Sequence, residues 1–454
     1  MLLRFKNIHL PDSKRVYVRL RKVGRRLQVL LAPFAELFRL LGRQWPVSLV
    51  WLGLSFCCLL PGLAEQQTSE ALLEYANAAE SAGVLWGRTM ITAAISVMLG
   101  EVLAHWTARL LDASRHRWFG SEATARRLTA FNRWFPVLAL AVAFWTLQDS
   151  ATGWFYPYRA IAILLAFARP ACLAIIYLAS LPLRSAAFAT APSVPHWMAA
   201  RRPYLAALTS AACLVVIFGT ADKDHIAGLP VSSVALAQFL GPLNLLLLFF
   251  AIFVSIASML ILGGRFLRLP LTALVIFCAI VFSWLDLNDN HSIRTAEETA
   301  DDKPADVQAA FDRWISQRPD RNRFDGDYPV VLVSAEGGGI RAAFFTAVTL
   351  ARIVDRCPPL AQHIFAISGV SGGAVGAAVF AAALEAVPPS STDRKCDLAA
   401  PVRPVYENAV SSVLEDDHLS PLLARMLFSD AFQQILPFPV HSFDRQLGLE
   451  FSLE

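Results

Sequence analysis

The sequence predicts an α-helical polytopic membrane domain followed by an α/β domain, and three observations carry that prediction. Apolar residues make up 56% of the 454 residues and charged residues only 17%, too apolar a balance for a water-soluble globule of this length. Apolar runs near the ~20 residues that a bilayer crossing needs follow one another up to Leu287. After Tyr328 the pattern changes to short apolar runs alternating with glycine clusters and helix-like segments, the order of a βαβ unit. Four segments result: 1–45, basic and amphipathic; 46–287, a transmembrane domain of about seven helices; 288–327, a polar connector with one amphipathic helix; and 328–454, the α/β domain.

The formal charge of +4 is unevenly spread, with Arg and Lys crowded into the first 43 positions. A basic preface leading straight into an apolar span suits anionic lipid on a cytoplasmic face; no nucleic-acid partner is expected. Leu27, Leu30, Leu31, Phe34, Phe38 and Leu41 recur at helical spacing, consistent with an amphipathic helix in the membrane surface or with a flexible basic tail. No secretory leader is expected, because the first long apolar run begins only near Val47.

The apolar runs centre on 47–64, 84–108, 135–155, 160–183, 204–219, 234–262 and 269–287, and Trp45, Trp86, Trp106, Trp134, Trp154 and Trp284 sit near their ends, where amphipathic rings prefer the headgroup zone. The loops alternate in charge: Glu65 to Glu80 is acidic, Arg115 to Arg133 basic, Asp149 acidic, Arg184 to Arg202 basic, Asp222 to Asp224 mostly acidic, and Arg265 and Arg268 basic. The positive-inside rule then places the N-terminus in the cytoplasm and the part after Leu287 outside it. Arg88, Glu101 and Arg169 fall within apolar runs, where they either pair between helices or mark a transport path or lipid-headgroup site. The third run is apolar only from Phe135 to Leu147 and could re-enter; a change of one span would move the C-terminal domain to the other side. In the connector, Pro304 to Gln317 reads as a helix whose Val307, Phe311, Trp314 and Ile315 share a face expected to pack on the following domain.

The chemistry lies between Tyr328 and Val387. A strand, Pro329 to Ala335, runs into Glu336-Gly337-Gly338-Gly339-Ile340-Arg341; a helix follows, then a strand, Ile364 to Ser368, ending in Gly369-Val370-Ser371-Gly372-Gly373. G-x-S-x-G between strand and helix exposes its serine on a tight turn that small neighbours permit. A glycine loop between strand and helix can turn several amide N–H groups onto one anion, which a tetrahedral acyl intermediate requires. The loop lacks the G-K-[ST] of a Walker sequence, and Ala342 stands where G-x-G-x-x-G needs its last glycine. Ser371 is thus the candidate nucleophile, Gly337, Gly338 and Gly339 the candidate oxyanion hole, and Arg341, Gly369, Gly372 and Gly373 the supporting residues. A Ser371–Asp417–His441 triad on an α/β-hydrolase is the competing arrangement, but no His precedes the glycines and the loop and elbow lie close in sequence.

The pair Gly337-Gly338-Gly339-Ile340-Arg341 and Gly369-Val370-Ser371-Gly372-Gly373 resembles the patatin-like phospholipase family, over about residues 325–454. The resemblance implies an α/β patatin-like hydrolase domain with a central sheet, cleavage of lipid acyl esters, and a Ser–Asp dyad without histidine. It implies no cofactor and no metal. The spans are similar to those of bacterial membrane-anchored patatin-like proteins, which implies a multi-pass inner-membrane location; the charge alternation of the loops then puts the hydrolase domain in the periplasm. Two departures are mild: Glu336 and Ala342 stand where the family often has Asp and Gly. A third is serious, since the family's Asp lies in a D-G-G or D-G-A turn and no Asp-Gly follows Ser371. The domain is therefore expected to be incomplete, with its Asp beyond residue 454; Asp416, Asp417, Asp430 and Asp444 read more simply as solvated or capping carboxylates. The alternative is a truncated or catalytically dead relative acting in membrane transport or interaction.

Seven cysteines are present. Cys57, Cys58, Cys172, Cys213 and Cys278 lie in apolar runs and read as small buried hydrophobes. Cys357 and Cys396 lie in the polar part, bridged if that domain is periplasmic and free thiols if it is cytoplasmic. No Cys/His spacing suggests a metal. Leu419 to Pro439 carries bulky apolar residues that suit either a lipid-facing lid or a core helix.

Overall fold

The computed structural model describes residues 41–58, 82–112, 127–140, 196–219, 232–291, 306–387, 396 and 404–453. The chain divides into two compact units: Met1–Ala211 with Leu246–Phe277, and Ala212–Leu245 with Cys278–Glu454. The basic segment up to residue 40, the apolar run at 160–183 with Arg169, and the later parts of the runs at 47–64 and 135–155 lie outside the described residues.

Long apolar stretches form helices here: α1 (Trp45–Cys58), α2 (Ala82–Asp112), α3 (127–140), α4 (His196–Gly219), α5 (Ser233–Leu267) and α6 (Leu271–Trp284). Among the described residues, two helices are long and apolar enough to cross a membrane, Met90–Asp112 within α2 and Ser233–Leu267. Helix α1, the Ala207–Gly219 part of α4, and α6 are also apolar and shorter; of the about seven expected spans, the run at 160–183 and parts of others lie outside the described residues. At Gly241 (φ 73°, ψ 162°), just before Pro242, α5 leaves helical geometry and kinks, since proline removes a ladder donor and crowds the preceding turn.

In the first unit, Leu54, Leu99, Leu103, Trp106, Leu140 and Leu247 are buried. Two polar pairs among them join neighbouring helices, which satisfies groups that water does not reach. Trp106 Nε1 donates to Ser255 Oγ at 3.0 Å, and Asn132 Nδ2 to Thr107 Oγ1 at 2.5 Å. Glu101 forms an ion pair with Arg133 at 2.8 Å, so this carboxylate is paired between helices. Gly100 lets the Arg133 carbonyl approach where any Cβ would collide.

In the second unit, strand β1 (Val331–Ala335), helix α8 (Gly339–Arg356) and strand β2 (Ile364–Gly369) form a parallel βαβ unit, preceded by the connector helix α7 (Val307–Ser316). The register runs Leu332↔Ala366, Val333↔Ile367, Ser334↔Ser368 and Ala335↔Gly369. The strands alternate as half-buried strands do: Val333 and Ile367 pack on the core while Leu332 is 70% exposed. Helices α9 (Gly372–Ala386) and α10 (Val405–Leu414) complete this layer. Small residues on α8 (Ala343, Ala347, Ala351) admit Phe380 of α9 and Tyr406, Val410 and Leu414 of α10. Phe380 is fully buried; truncating such a ring to alanine typically costs about 3–5 kcal/mol. Asp355, on the last turn of α8, caps α10 by accepting from the amides of Val405, Tyr406 and Glu407 at 2.9–3.1 Å. A carboxylate there meets the orphan donors and positive end of that helix.

The connector helix packs through its apolar face, where Phe311 and Trp314 meet Phe365 of β2 edge-on or tilted at 5.2 and 5.3 Å. Beside them Tyr328 donates to Asp320 at 2.8 Å, and His363 Nδ1 donates to the Pro329 carbonyl at 3.0 Å. Burial first, and the Asp320 carboxylate second, push the Tyr328 phenol up to about 12. The remaining chain forms α11 (Leu419–Ala424), a π-helical turn over Arg425–Asp430, and α12 (Gln446–Leu453).

Candidate active site

Because β1 and β2 are parallel and Ala335 lies opposite Gly369, the segments that leave the two strands emerge from one edge of the sheet. The Val370 amide continues the pairing by donating to the Ala335 carbonyl at 3.1 Å. In open α/β sheets that carboxyl edge is where ligands bind.

Glycines make the two turns touch. A methyl group on Gly337 would lie 3.3 Å from Ser371 Cβ. Gly372 faces the Gly339 carbonyl so closely that any Cβ would overlap it, and a Cβ on Gly373 would stand 2.5 Å from the Glu336 carbonyl oxygen. Gly376, one turn further along α9, is closed in the same way by the Ala343 carbonyl of α8. Gly339, at φ 63°, adopts a left-handed conformation that residues with a Cβ rarely accept.

Ser371 takes φ 53° and ψ −125° at the junction of β2 and α9. Only Arg268, Asp286 and Ser371 show positive φ among the described non-glycine residues. The side chain is exposed, and its hydroxyl makes no hydrogen bond among the described residues. Two helices begin beside it, α8 at Gly339 and α9 at Gly372. Their first-turn amides and dipoles supply partial positive charge at this edge. The amides of Gly337 and Gly338 donate to no backbone carbonyl among the described residues. The arrangement is thus a hydroxyl on a sharp turn, glycine amides against it, and the start of a helix behind each: groups that can present an oxygen nucleophile and hold a developing oxyanion.

A groove of about 560 Å³ runs from the glycine loop between β1 and α8, lined among others by Ser334, Glu336, Gly337, Arg341, Phe345 and Thr349. Arg341 is exposed on its wall, and Phe345 is 72% exposed.

The other sequence candidates lie elsewhere or serve other bonds. Asp417 Oδ1 accepts from the amides of Leu419 and Ser420 at the start of α11. Asp430 pairs with Arg445 at 3.2 Å, and Asp444 with His291 at 2.9 Å. His418 is buried between Ser452 Oγ and the Val413 carbonyl. No Asp, Glu or His hydrogen-bonds Ser371 among the described residues. Cys357 and Cys396 are joined as a disulfide. No group of metal-ligating side chains occurs among the described residues.

Two features of the site were missed from the sequence. Gly376 carried no motif, although a glycine one turn into an Ala-rich helix is itself a sign of close backbone approach. Asp355 caps a helix that starts 50 residues later, and no local pattern signals that. Compared with known proteins, the chain matches no family model, no curated protein and no solved structure.

Proposed function

We propose that this protein is a serine acyl hydrolase, similar to patatin-like phospholipases, that cleaves acyl esters of membrane lipids. The single observation that carries the reading is the backbone at Ser371. A serine held at φ 53°, ψ −125° between a strand and a helix has the geometry of a nucleophile elbow. Non-glycine residues occupy such regions only where the surroundings enforce them, and such strain concentrates at functional sites. The glycine loop in contact with that turn supports the same reading, because its amides adjoin the position where an ester carbonyl would become tetrahedral.

In the proposed reaction, Ser371 Oγ attacks the acyl carbonyl and loses its proton to a base. The amides of Gly337, Gly338 and Gly339 stabilise the oxyanion. The alcohol leaves, and water hydrolyses the acyl-enzyme. The family resemblance assigns the base to an aspartate, for which no partner of Ser371 stands among the described residues. A chain with apolar helices α2 and α5 also has its substrate at hand, since the lipids that surround those helices carry the esters. We place the protein in a bacterial inner membrane, with the hydrolase domain in the periplasm.

The test is labelling of the full chain in membranes with a fluorophosphonate, which reacts with an activated serine hydroxyl. The expected outcome is a label on the wild-type chain that Ser371→Ala abolishes. A labelled S371A chain would move the nucleophile elsewhere. An unlabelled wild type would favour the non-catalytic alternative, a membrane protein that keeps the elbow without its base.

A further inference from the structure

The segment Ala431–Val440, Ala-Phe-Gln-Gln-Ile-Leu-Pro-Phe-Pro-Val, carries no charged residue. It is nonetheless well exposed: Phe432 by 41%, Ile435 by 39% and Phe438 by 55%. Its conformation is fixed from inside. Gln433, fully buried, donates through Nε2 to the Phe438 carbonyl at 2.8 Å and accepts through Oε1 from the Val440 amide at 3.0 Å. Two flanking charges turn inward: Arg425 is buried and donates to the Ser442 carbonyl at 2.7 Å, and the buried carboxylate of Asp430 pairs with the exposed Arg445. A ten-residue exposed turn with no charge of its own and three large apolar side chains in the open is not how a chain ordinarily meets water.

The same segment grips the ends of apolar helices in its own unit. Asn288 Nδ2, just beyond α6, donates to the Gln434 carbonyl at 3.3 Å. Asn290 Nδ2 reaches the Val440 carbonyl at 3.5 Å, and His291 Nδ1 pairs with Asp444. Phe218, at the end of α4, stacks on Phe428 at 5.7 Å, and Gly219 lies against the Phe443 ring. Helix α6 itself is apolar around its whole circumference yet has no buried residue. Phe277 is 62% exposed, Ile280 63% and, at its exit, Trp284 82%. A helix apolar on every face needs an apolar surrounding; where protein does not supply it, lipid must. The exit of such a helix lies at the headgroup level, where Trp and Phe side chains concentrate, and the Ala431–Val440 turn is tied to that exit.

We infer that Ala431–Val440 is a membrane-docking surface, held to the exits of α4 and α6, whose Phe432, Ile435 and Phe438 side chains enter the acyl–headgroup boundary of the bilayer. The surface involves neither Ser371 nor the glycine loop, so it stands whether or not the chain is a hydrolase; it rests on α6 being embedded in lipid.

The test places the photoreactive residue p-benzoylphenylalanine, one position at a time, at Phe432, Phe438, Phe277 and Glu415 of the full chain in vesicles of phosphatidylcholine and phosphatidylglycerol. Phe432, Phe438 and Phe277 are exposed aromatic positions, so the larger side chain displaces little. After irradiation, positions 432, 438 and 277 are expected to gain the mass of one phospholipid, and exposed, polar Glu415 to gain none. A phospholipid adduct at 277 without one at 432 or 438 would overturn the docking surface while leaving α6 in lipid. Cross-links from 432 or 438 to a second copy of the chain would overturn it in favour of an oligomer contact. No adduct at 277, 432 or 438 would overturn both the surface and the embedding of α6.

Discussion

At Ser371 the backbone holds a conformation that an L-residue adopts at a cost of order 1–3 kcal/mol, while the hydroxyl it displays makes no hydrogen bond among the described residues. Glycine would accept the same φ and ψ without that cost. Ser371→Gly is therefore expected to abolish fluorophosphonate labelling and to raise stability by roughly 1 kcal/mol, read as an upward shift of the thermal unfolding midpoint. Ser371→Ala should abolish labelling with no such gain, because its Cβ keeps the strain. A midpoint unchanged or lowered by glycine would mean that the turn stores no strain. Arg341 belongs to the same scale. It lies exposed on the groove wall, one turn from Gly338.

Among the elements, the unit formed by β1, α8, β2 and α9 is held by backbone contact as much as by side chains. Gly376 shows this most directly, since even a methyl group there would overlap the Ala343 carbonyl. Gly376→Ala is expected to push α9 off α8 and cost about 1–3 kcal/mol, as overpacking does, measured by thermal or denaturant unfolding. Ala378→Ser, on the exposed face of the same helix, should change stability by no more than about 0.5 kcal/mol. Much of this unit was legible in the sequence. Runs of Val, Leu and Ile cut off by glycine located β1 and β2 to within two residues of their observed ends, and G-x-S-x-G located the turn before α9. Phe311 and Trp314 disclosed by their spacing the face of the connector helix that packs on Phe365, although Val307, expected on the same face, is 72% exposed. What stayed hidden depends on distant pairing. The Asp355 cap of α10 and the Tyr328–Asp320–His363 cluster each join residues that no short window contains. The sheet, expected as a central one, has two strands among the described residues.

For the molecule as a whole, two of the apolar runs form described helices long enough for a crossing, which needs an unbroken helix of about 20 residues. The disulfide bears on the compartment in which the C-terminal unit resides. Cys357 and Cys396 are joined across a sequence separation of 39, and such bonds persist in oxidising surroundings. In native membranes both thiols are expected to resist alkylation until a reductant is added, and reduction is expected to cost about 2–5 kcal/mol, seen as a lower unfolding midpoint. Two freely alkylated thiols would count against a periplasmic placement. The bond also has a practical result. Ser371 lies between the bonded cysteines, so it belongs to a covalent ring, and one protease cut anywhere in that ring opens it without releasing a fragment. A nicked chain would migrate as a single species until its sulfurs are separated. A digest made without reductant can then hold the adduct-bearing peptide in a branched, two-chain product whose mass fits no linear stretch of the sequence.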